Sequence, residues 1–272
     1  MAEAATDSVM PATTPPTGSA ASEPIDSDLP PAAAAVGMAA DAGVTPATLG
    51  PSRSSFHREL EHIQDEVLVL GSMVEKATLR SVEALRARDV GEARAIDAED
   101  VLLNRKRYQI EEDILRLLAT QQPMAGDLRR LTAMLLIATD LERMGDYAAG
   151  IARICIEIAD EPLVKPLIDV PRMAEKATSM LRRSLDAFVD RDVSAAQAIA
   201  REDDEVDALY QQVYRELLML MLVNPRVIDQ ATRLLWVAHN LERVADRVQN
   251  ICERVVFVAT GRIMEFSHGP MG

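Results

Sequence analysis

The strongest constraint on the fold is an internal repeat. The segment Asp-Leu-Glu-Arg-Met-Gly-Asp at residues 140–146 returns as Asn-Leu-Glu-Arg-Val-Ala-Asp at residues 240–246. Upstream, Arg-Ser-Val-Glu-Ala-Leu at residues 80–85 returns as Arg-Ser-Leu-Asp-Ala-Phe at residues 183–188, an offset three residues longer. The second copy has therefore lost three residues at a turn, where deletions are tolerated. Such a chain is predicted to fold as two copies of one supersecondary unit.

Hydrophobic periodicity divides each copy into three helices. From residue 56 to residue 87 apolar side chains recur every three or four positions, which is typical of an amphipathic helix. Its predicted buried positions are Leu60, Ile63, Val67, Leu70, Val74, Ala77, Val82 and Leu85. Asp89 and Glu92 have the spacing of a capping box that begins the second helix, and Pro123 ends it. The third helix stops before Pro162.

Composition supports an all-α fold. The 272 residues are 48% hydrophobic but only 3% aromatic, which suits long helices and leaves β-sheet poorly supplied. We predict two tandem three-helix bundles, at residues 55–161 and 168–265. Residues 1–54 are rich in Ala and Pro and lack periodicity, so we expect a disordered extension. This segment also lacks the basic and apolar regions of a signal peptide.

Charge and apolar run lengths exclude several classes of function. The net charge of −14 argues against nucleic acid as a direct partner and favours a cation or a basic protein surface. The longest apolar runs, such as residues 217–223, are too short to span a bilayer, so we expect a soluble protein. Cys155 and Cys252 lie in helical patterns without a Cys-x-x-Cys pair, and we interpret them as buried residues in a reducing compartment.

The repeated segment carries paired acids that predict metal sites. Glu142 and Asp146, like Glu242 and Asp246, are four residues apart and share one helix face. Like charges at this spacing cost an isolated helix about 0.2–0.5 kcal/mol, which suggests that a cation is held there. The second helix of each copy has a matching pair. The predicted ligands are Asp100, Asn104, Glu142 and Asp146 in the first copy and Asp203, Asp207, Glu242 and Asp246 in the second.

The connecting turns place these residues opposite one another. Because the second and third helices of each copy are joined by a short turn, they should be antiparallel, and residues equidistant from the turn should lie level. The predicted level pairs are Asp100 with Asp146, Asn104 with Glu142, Asp203 with Asp246, and Asp207 with Glu242. Oxygen ligands suit Mg²⁺, Mn²⁺ or Fe better than a structural zinc. An amide binds cations less well than a carboxylate, so the second site should bind more tightly.

Simpler interpretations apply to several of these residues. The alternative is that the acids form a solvated bundle face neutralised by arginines. His239 and Glu253 lie on the same stripe as the second site and are further candidates for its ligand shell. The candidate counterions are Arg143, Arg243, Arg247 and Arg129. We interpret Glu59-x-x-His62 as a chance match to a di-iron motif, and Met219, Met221 and Trp236 as core residues. No arginine cluster or phosphate-cradling loop is visible, so direct phosphate binding is not expected.

Taken together, the two three-helix copies, the two Leu-Glu-Arg-x-x-Asp segments and the closing Val-Ala-Thr-Gly at residues 258–261 resemble the PhoU family. The resemblance implies a cytoplasmic homodimer that represses the phosphate-starvation response and modulates phosphate uptake. Its implied partners are a sensor histidine kinase and the ATPase subunit of the phosphate ABC transporter, with membrane contact only through them. It also implies metal clusters on the acid motifs, where Asn104 departs from the acidic pattern.

The alternative is a di-iron or di-manganese carboxylate enzyme built on a helical bundle. Such enzymes use a Glu and a Glu-x-x-His motif from facing helices, and that set is missing here. No nucleophile with an adjacent base is evident either. We therefore expect a regulator rather than an enzyme.

Overall fold

The computed structural model describes residues 53–266, which form helices joined by short connections and contain no strand. The helices are α1 (Arg53–Ala87), α2 (Val90–Thr120), α3 (Ala125–Ile158), α4 (Asp169–Asp190), α5 (Val193–Ala200), α6 (Asp203–Val223) and α7 (Ile228–Thr260), with a short 3₁₀ helix at Pro225–Val227 before α7. The all-α prediction is confirmed. The predicted disordered extension falls, except for its last two residues, outside the described residues.

Local sequence signals set the helix boundaries. All eight apolar positions predicted for α1 are buried. The Asp89 carboxylate accepts a 3.0 Å hydrogen bond from the Glu92 backbone N–H and caps α2. In the second copy Asp192 caps α5 in the same way, accepting from the Ala195 N–H at 2.9 Å. The residue before each cap is an arginine in the left-handed region, so both copies use one turn geometry.

One helix differs between the copies. The counterpart of the continuous α2 is interrupted after Ala200 and resumes as α6 at Asp203. Four consecutive acids occupy residues 202–205. They would repel one another inside a helix, but they are stabilised in the first turn of one by the helix dipole. Because of the break, these acids lie at the start of α6, where the helix dipole stabilises their negative charge, and not in the middle of a longer helix.

The two copies share one hydrophobic core. Buried side chains from α1 to α7 form a single contiguous cluster. The third helices of the copies, α3 and α7, pack along each other, and α1 packs on α4. A Cβ atom at Gly71 in α1 would lie 2.2 Å from Leu185 Cδ1 in α4, so the absent side chain permits close packing. The division into separate domains at residues 161 and 168 stays a prediction.

Two residues predicted for the core lie on the surface instead. Trp236 is 55% exposed and Met219 is 60% exposed. Periodicity places each on an apolar helix face, but no helix of the described region covers these positions. The cysteines are buried as predicted: Cys155 Sγ donates to the Ala84 carbonyl oxygen at 3.4 Å, and burial raises the pKa of the Cys252 thiol to about 12. Within residues 53–266 no helix is long and apolar enough to cross a membrane.

Candidate functional site

The acids of the first repeat meet where α2 crosses α3. Asp100 on α2 lies close to Asp146 on α3, as the turn geometry predicts. Burial raises the pKa of Asp100, and the negative charge of Asp146 raises it further. Gly145 makes this approach possible, because a Cβ atom there would lie 2.7 Å from Leu103 Cδ2 and 3.8 Å from Asp100 Oδ1. The glycine therefore lets α3 pack closely against Leu103 of α2, beside the two carboxylates.

Asn104 and Glu142, the other two predicted ligands of the first repeat, lie near these carboxylates. Asn104 Nδ2 donates to Asp100 Oδ2 at 3.0 Å, so its amide orients the carboxylate. Burial and the neighbouring Asp146 raise the pKa of Glu142, whereas the positive charges of Arg107 and Arg143 oppose the rise. The group thus has three carboxylates near one another and no ion pair between Asp100 or Glu142 and any described base.

The second repeat builds a related group with closer counterions. Burial raises the pKa of Glu242, the charges of Asp246 and Asp207 raise it further, and Arg243 and His239 lower it. His239 Nδ1 lies 3.1 Å from Glu242 Oε2. Arg243 Nη1 lies 2.9 Å from Asp246 Oδ2. Asp207 on α6 therefore lies near Glu242 on α7, as the turn geometry predicts.

Asp203 occupies a more enclosed position than the other candidates. It begins α6, is only 2% exposed and accepts a hydrogen bond from Gln249 Nε2, one turn beyond Asp246 on α7. Glu253, which the sequence placed on the same stripe, instead accepts a 3.0 Å hydrogen bond from the Phe266 N–H. The acidic group is thus confined to the portion of α7 around residues 242–246.

The predicted ligands do not form a complete metal-binding geometry in the described residues. In the described part of the chain, no three His, Cys, Asp or Glu side chains converge closely enough to hold an ion. The donor set nevertheless fits a hard cation, because carboxylates from two helices lie near one another in each repeat and burial disfavours their charge. The assignment of all eight ligands therefore stays a prediction.

The arginines proposed as counterions are divided. Arg243 contacts the second acidic group, but Arg247 Nη1 pairs with Asp140 Oδ1 at 3.3 Å. Arg129 is 13 residues from Glu142 on α3, about 20 Å along the helix axis. Arg243 thus acts as a counterion of the second acidic group, as predicted.

Sequence reasoning missed three features. Asp140 is buried between α3 and α7, where it accepts hydrogen bonds from Arg247 and Asn250. A hollow of about 250 Å³ beside the second acidic group is lined by Tyr210, Leu235, Trp236 and His239. The expectation that no arginine cluster exists is wrong, because Arg129, Arg130 and Arg191 line one cleft. The sequence contains one signal for this cluster: Arg-Arg at residues 129–130 of the first copy corresponds to Asp-Gln at residues 229–230 of the second.

Known proteins are similar to this chain over more than three quarters of its length. A family model described as the PhoU domain matches residues 67–155 and again residues 170–255. The chain is 36% identical over 217 residues to the phosphate-specific transport system accessory protein PhoU homolog of Clostridium acetobutylicum, covering 79% of this chain and 99% of that protein. The homolog of Deinococcus radiodurans is 37% identical over 212 residues, which are 77% of this chain and 98% of that protein.

Solved structures agree with these sequence matches. The crystal structure of PhoU from Pseudomonas aeruginosa superimposes with a TM-score of 0.73 at 33% identity, covering 76% of this chain and all of that one. The phosphate transport system regulatory protein PhoU from Streptococcus pneumoniae gives a TM-score of 0.72 at 33% identity, over 77% of this chain and 99% of that one. Two matches to the domain model, in the two copies identified from the sequence, establish that this chain belongs to the PhoU family.

Proposed function

We propose that this protein is a regulatory accessory protein of a phosphate-specific transport system. It represses the phosphate-starvation response and limits phosphate uptake by coupling the ABC transporter to a sensor histidine kinase. The observation that supports this most is the match to relatives of that name over 98–99% of their length. The protein acts as a homodimer in the cytoplasm and reaches the membrane through its partners.

A reporter assay tests this regulatory role. A bacterium lacking its own PhoU homolog, with a reporter on a phosphate-starvation promoter, should show high expression in phosphate-rich medium. Supplying this chain should restore repression. Co-purification with the transporter ATPase subunit and with the cytoplasmic part of the kinase tests the two partners separately. Continued derepression despite normal levels of the protein would refute the regulatory role.

The carboxylate groups are proposed to bind Fe, Mn or Mg ions on each bundle. Mutual repulsion and burial both disfavour the charged carboxylates, and a cation between them would relieve both effects. Metal would then hold α2 against α3 and α6 against α7 and set the surface that partners meet. The second group, with Asp203 and Asp207 in place of Asp100 and Asn104, should bind more tightly.

Elemental analysis of protein purified without chelator tests the metal sites. The variant D203N/D207N/E242Q/D246N should lose the metal of the second repeat and retain helicity. A matched control removes four exposed acids elsewhere, E112Q/E161Q/D186N/D190N, and should keep the wild-type metal content. Equal metal content in the wild type and the site variant would contradict the assignment.

A further inference from the structure

A basic cleft lies between the start of α3 and the end of α7, apart from both acidic groups. Its volume is about 320 Å³. Arg129 and Arg130 from the first turns of α3 line it, and Arg191 enters from the left-handed turn between α4 and α5. Asp127 is the one acid among its lining residues. The cleft thus concentrates positive charge in a protein whose net charge is −14.

The three arginines lack the ion pairs that such a chain could supply. Within residues 53–266, neither Arg129 nor Arg191 forms a salt bridge or a side-chain hydrogen bond. The Arg129 Nε atom is shielded from solvent and has no hydrogen-bond partner there. Arg130 donates to the neutral Gln64 Oε1 at 2.8 Å, and burial together with the charge of Arg191 lowers its pKa. Donors and charge are therefore left over in the cleft.

The other repeat provides an internal comparison, because the equivalent place is closed. Gln230, the counterpart of Arg130, is buried at the start of α7. Its Oε1 accepts from the Val164 N–H at 2.6 Å and its Nε2 donates to the Pro162 carbonyl oxygen at 3.1 Å, so the linker covers this end. Arg88, the counterpart of Arg191, donates to the Ala159 carbonyl oxygen. At this end of one copy the polar side chains are hydrogen-bonded to the linker, whereas the equivalent end of the other copy is an open cleft lined by arginines.

The start of α3 adds backbone donors to the cleft. Its N-cap residue, Met124, has no side-chain acceptor, so the first-turn N–H groups are not capped by a side chain. Gly126 lines the cleft, and a Cβ atom there would meet nothing within 4 Å. Helix N-termini favour anions, and guanidinium groups match the oxygen geometry of phosphate. The start of α7 also lacks a side-chain cap, but Asp229 replaces Arg129 there, so the arginine is missing.

We propose that this cleft binds a tetrahedral oxyanion of the phosphate class. Arg129, Arg130 and Arg191 hold its oxygens, and the first-turn N–H groups of α3 complete the site. The anion bridges the start of α3, the end of α7 and the turn after α4, so that binding links the two repeats. This site goes beyond the proposed metal sites and does not depend on them, because it lies about 20 Å along α3 from Glu142.

Titration calorimetry with inorganic phosphate on the full, chelator-treated chain tests the proposal. The wild type should bind one phosphate, and the variant R129Q/R191Q should raise the dissociation constant at least tenfold through loss of two charged donors. R94Q removes an exposed arginine on α2 and should change it less than twofold. No binding by the wild type at about 10 mM phosphate would overturn the proposal. Equal weakening by R94Q, or acetate binding as tightly as phosphate, would also overturn it.

Two further variants keep the outcome unambiguous. R191Q alone changes an exposed turn residue, so it should keep the wild-type circular dichroism spectrum while weakening phosphate binding. The four-carboxylate variant D203N/D207N/E242Q/D246N should bind phosphate like the wild type. If that variant loses phosphate binding instead, the anion belongs to the acidic groups and the cleft assignment is wrong. Failure of the regulatory assay alone would leave these binding results intact.

Discussion

Removing the carboxylate of Glu202 should destabilise the second repeat measurably. Glu202 lies at the break between α5 and α6. Its two oxygens accept from Arg183 Nη1 and Nη2, both at 2.7 Å, and Lys176 Nζ lies 2.7 Å from Oε2. These contacts with Arg183 and Lys176 therefore attach the start of α6 to α4. The corresponding pair in the first repeat joins Arg80 of α1 to Glu99 of the unbroken helix α2.

The pKa of Glu202 sets the size of the effect. The hydrogen bonds from Arg183 lower it most, followed by those from Lys176, while burial opposes them, and the result is a pKa of about 2 against an ordinary 4.5. At about 1.36 kcal/mol per pKa unit this corresponds to at most ~3.4 kcal/mol. Because Glu202 is 23% and Arg183 is 40% exposed, solvent screens the pair. We expect Glu202→Gln to lower the free energy of unfolding by about 1–2 kcal/mol.

Urea denaturation of the full chain at several pH values provides the assay. A carboxylate with a lowered folded-state pKa stabilises the protein fully above pH 4.5 and loses that contribution as pH falls toward 2. The difference between the wild type and Glu202→Gln should therefore be largest at neutral pH. It should shrink to less than about half by pH 3. Thermal scans should show a loss of about 2–8 °C at pH 7.

Glu205→Gln is the matched control. Glu205 also lies near Lys176, with its Oε2 at 2.9 Å from Nζ, but its side chain is 65% exposed. Its replacement should cost less than about 0.5 kcal/mol. Equal losses for the two variants, or a Glu202→Gln loss that does not vary between pH 7 and pH 3, would refute the reasoning.

Two substitutions on α3 test its packing, with urea denaturation at pH 7 as the measurement. Asp140→Asn should leave the free energy of unfolding unchanged or raise it by up to ~1 kcal/mol, because burial raises the pKa of Asp140 and thus disfavours its charge, and the amide oxygen can still accept from Arg247 and Asn250. A loss above ~2 kcal/mol would contradict this. Gly145→Ala should cost ~1 kcal/mol, since its Cβ would meet Leu103 Cδ2 at 2.7 Å and overpacking outweighs the gain in helix propensity. Gly126→Ala meets nothing within 4 Å and should not destabilise; similar losses for both glycines would contradict the packing argument.

What sequence reasoning predicted correctly is mostly local. The α1 stripe, the Asp89 cap and the helical class follow from residues within a turn or two of one another. The pairing of Asp100 with Asp146 also follows, because a short hairpin fixes the level of two consecutive helices. These predictions required only periodicity and one turn.

Features that join distant helices could not be predicted in this way. Asp140 and Arg247 are 107 residues apart, and their contact depends on how α3 packs against α7. The cleft of Arg130 and Arg191 depends on the same packing. Trp236 shows the converse problem, because a stripe identifies an apolar face without showing whether another helix covers it. Relative placement of the copies is a property of their shared core, which periodicity does not encode.

The contact between α3 and α7 explains why the two copies must differ. Asp140 meets Asn250 across this contact, and the repeat-related position brings Asn240 against Gly150, where a Cβ atom would lie 3.1 Å from the Asn240 amide nitrogen. An aspartate at residue 240 would bury a second carboxylate where the counterpart of Arg247 is a tyrosine.

The contact between α3 and α7 therefore has one buried ion pair, Asp140 with Arg247, and avoids a second, uncompensated carboxylate at residue 240. The same divergence, applied at the helix starts, closes one end with Gln230 and leaves the other lined by arginines. Identical positions of the repeats build the scaffold and the carboxylate groups, whereas the positions that differ set how the copies join and where an anion can bind.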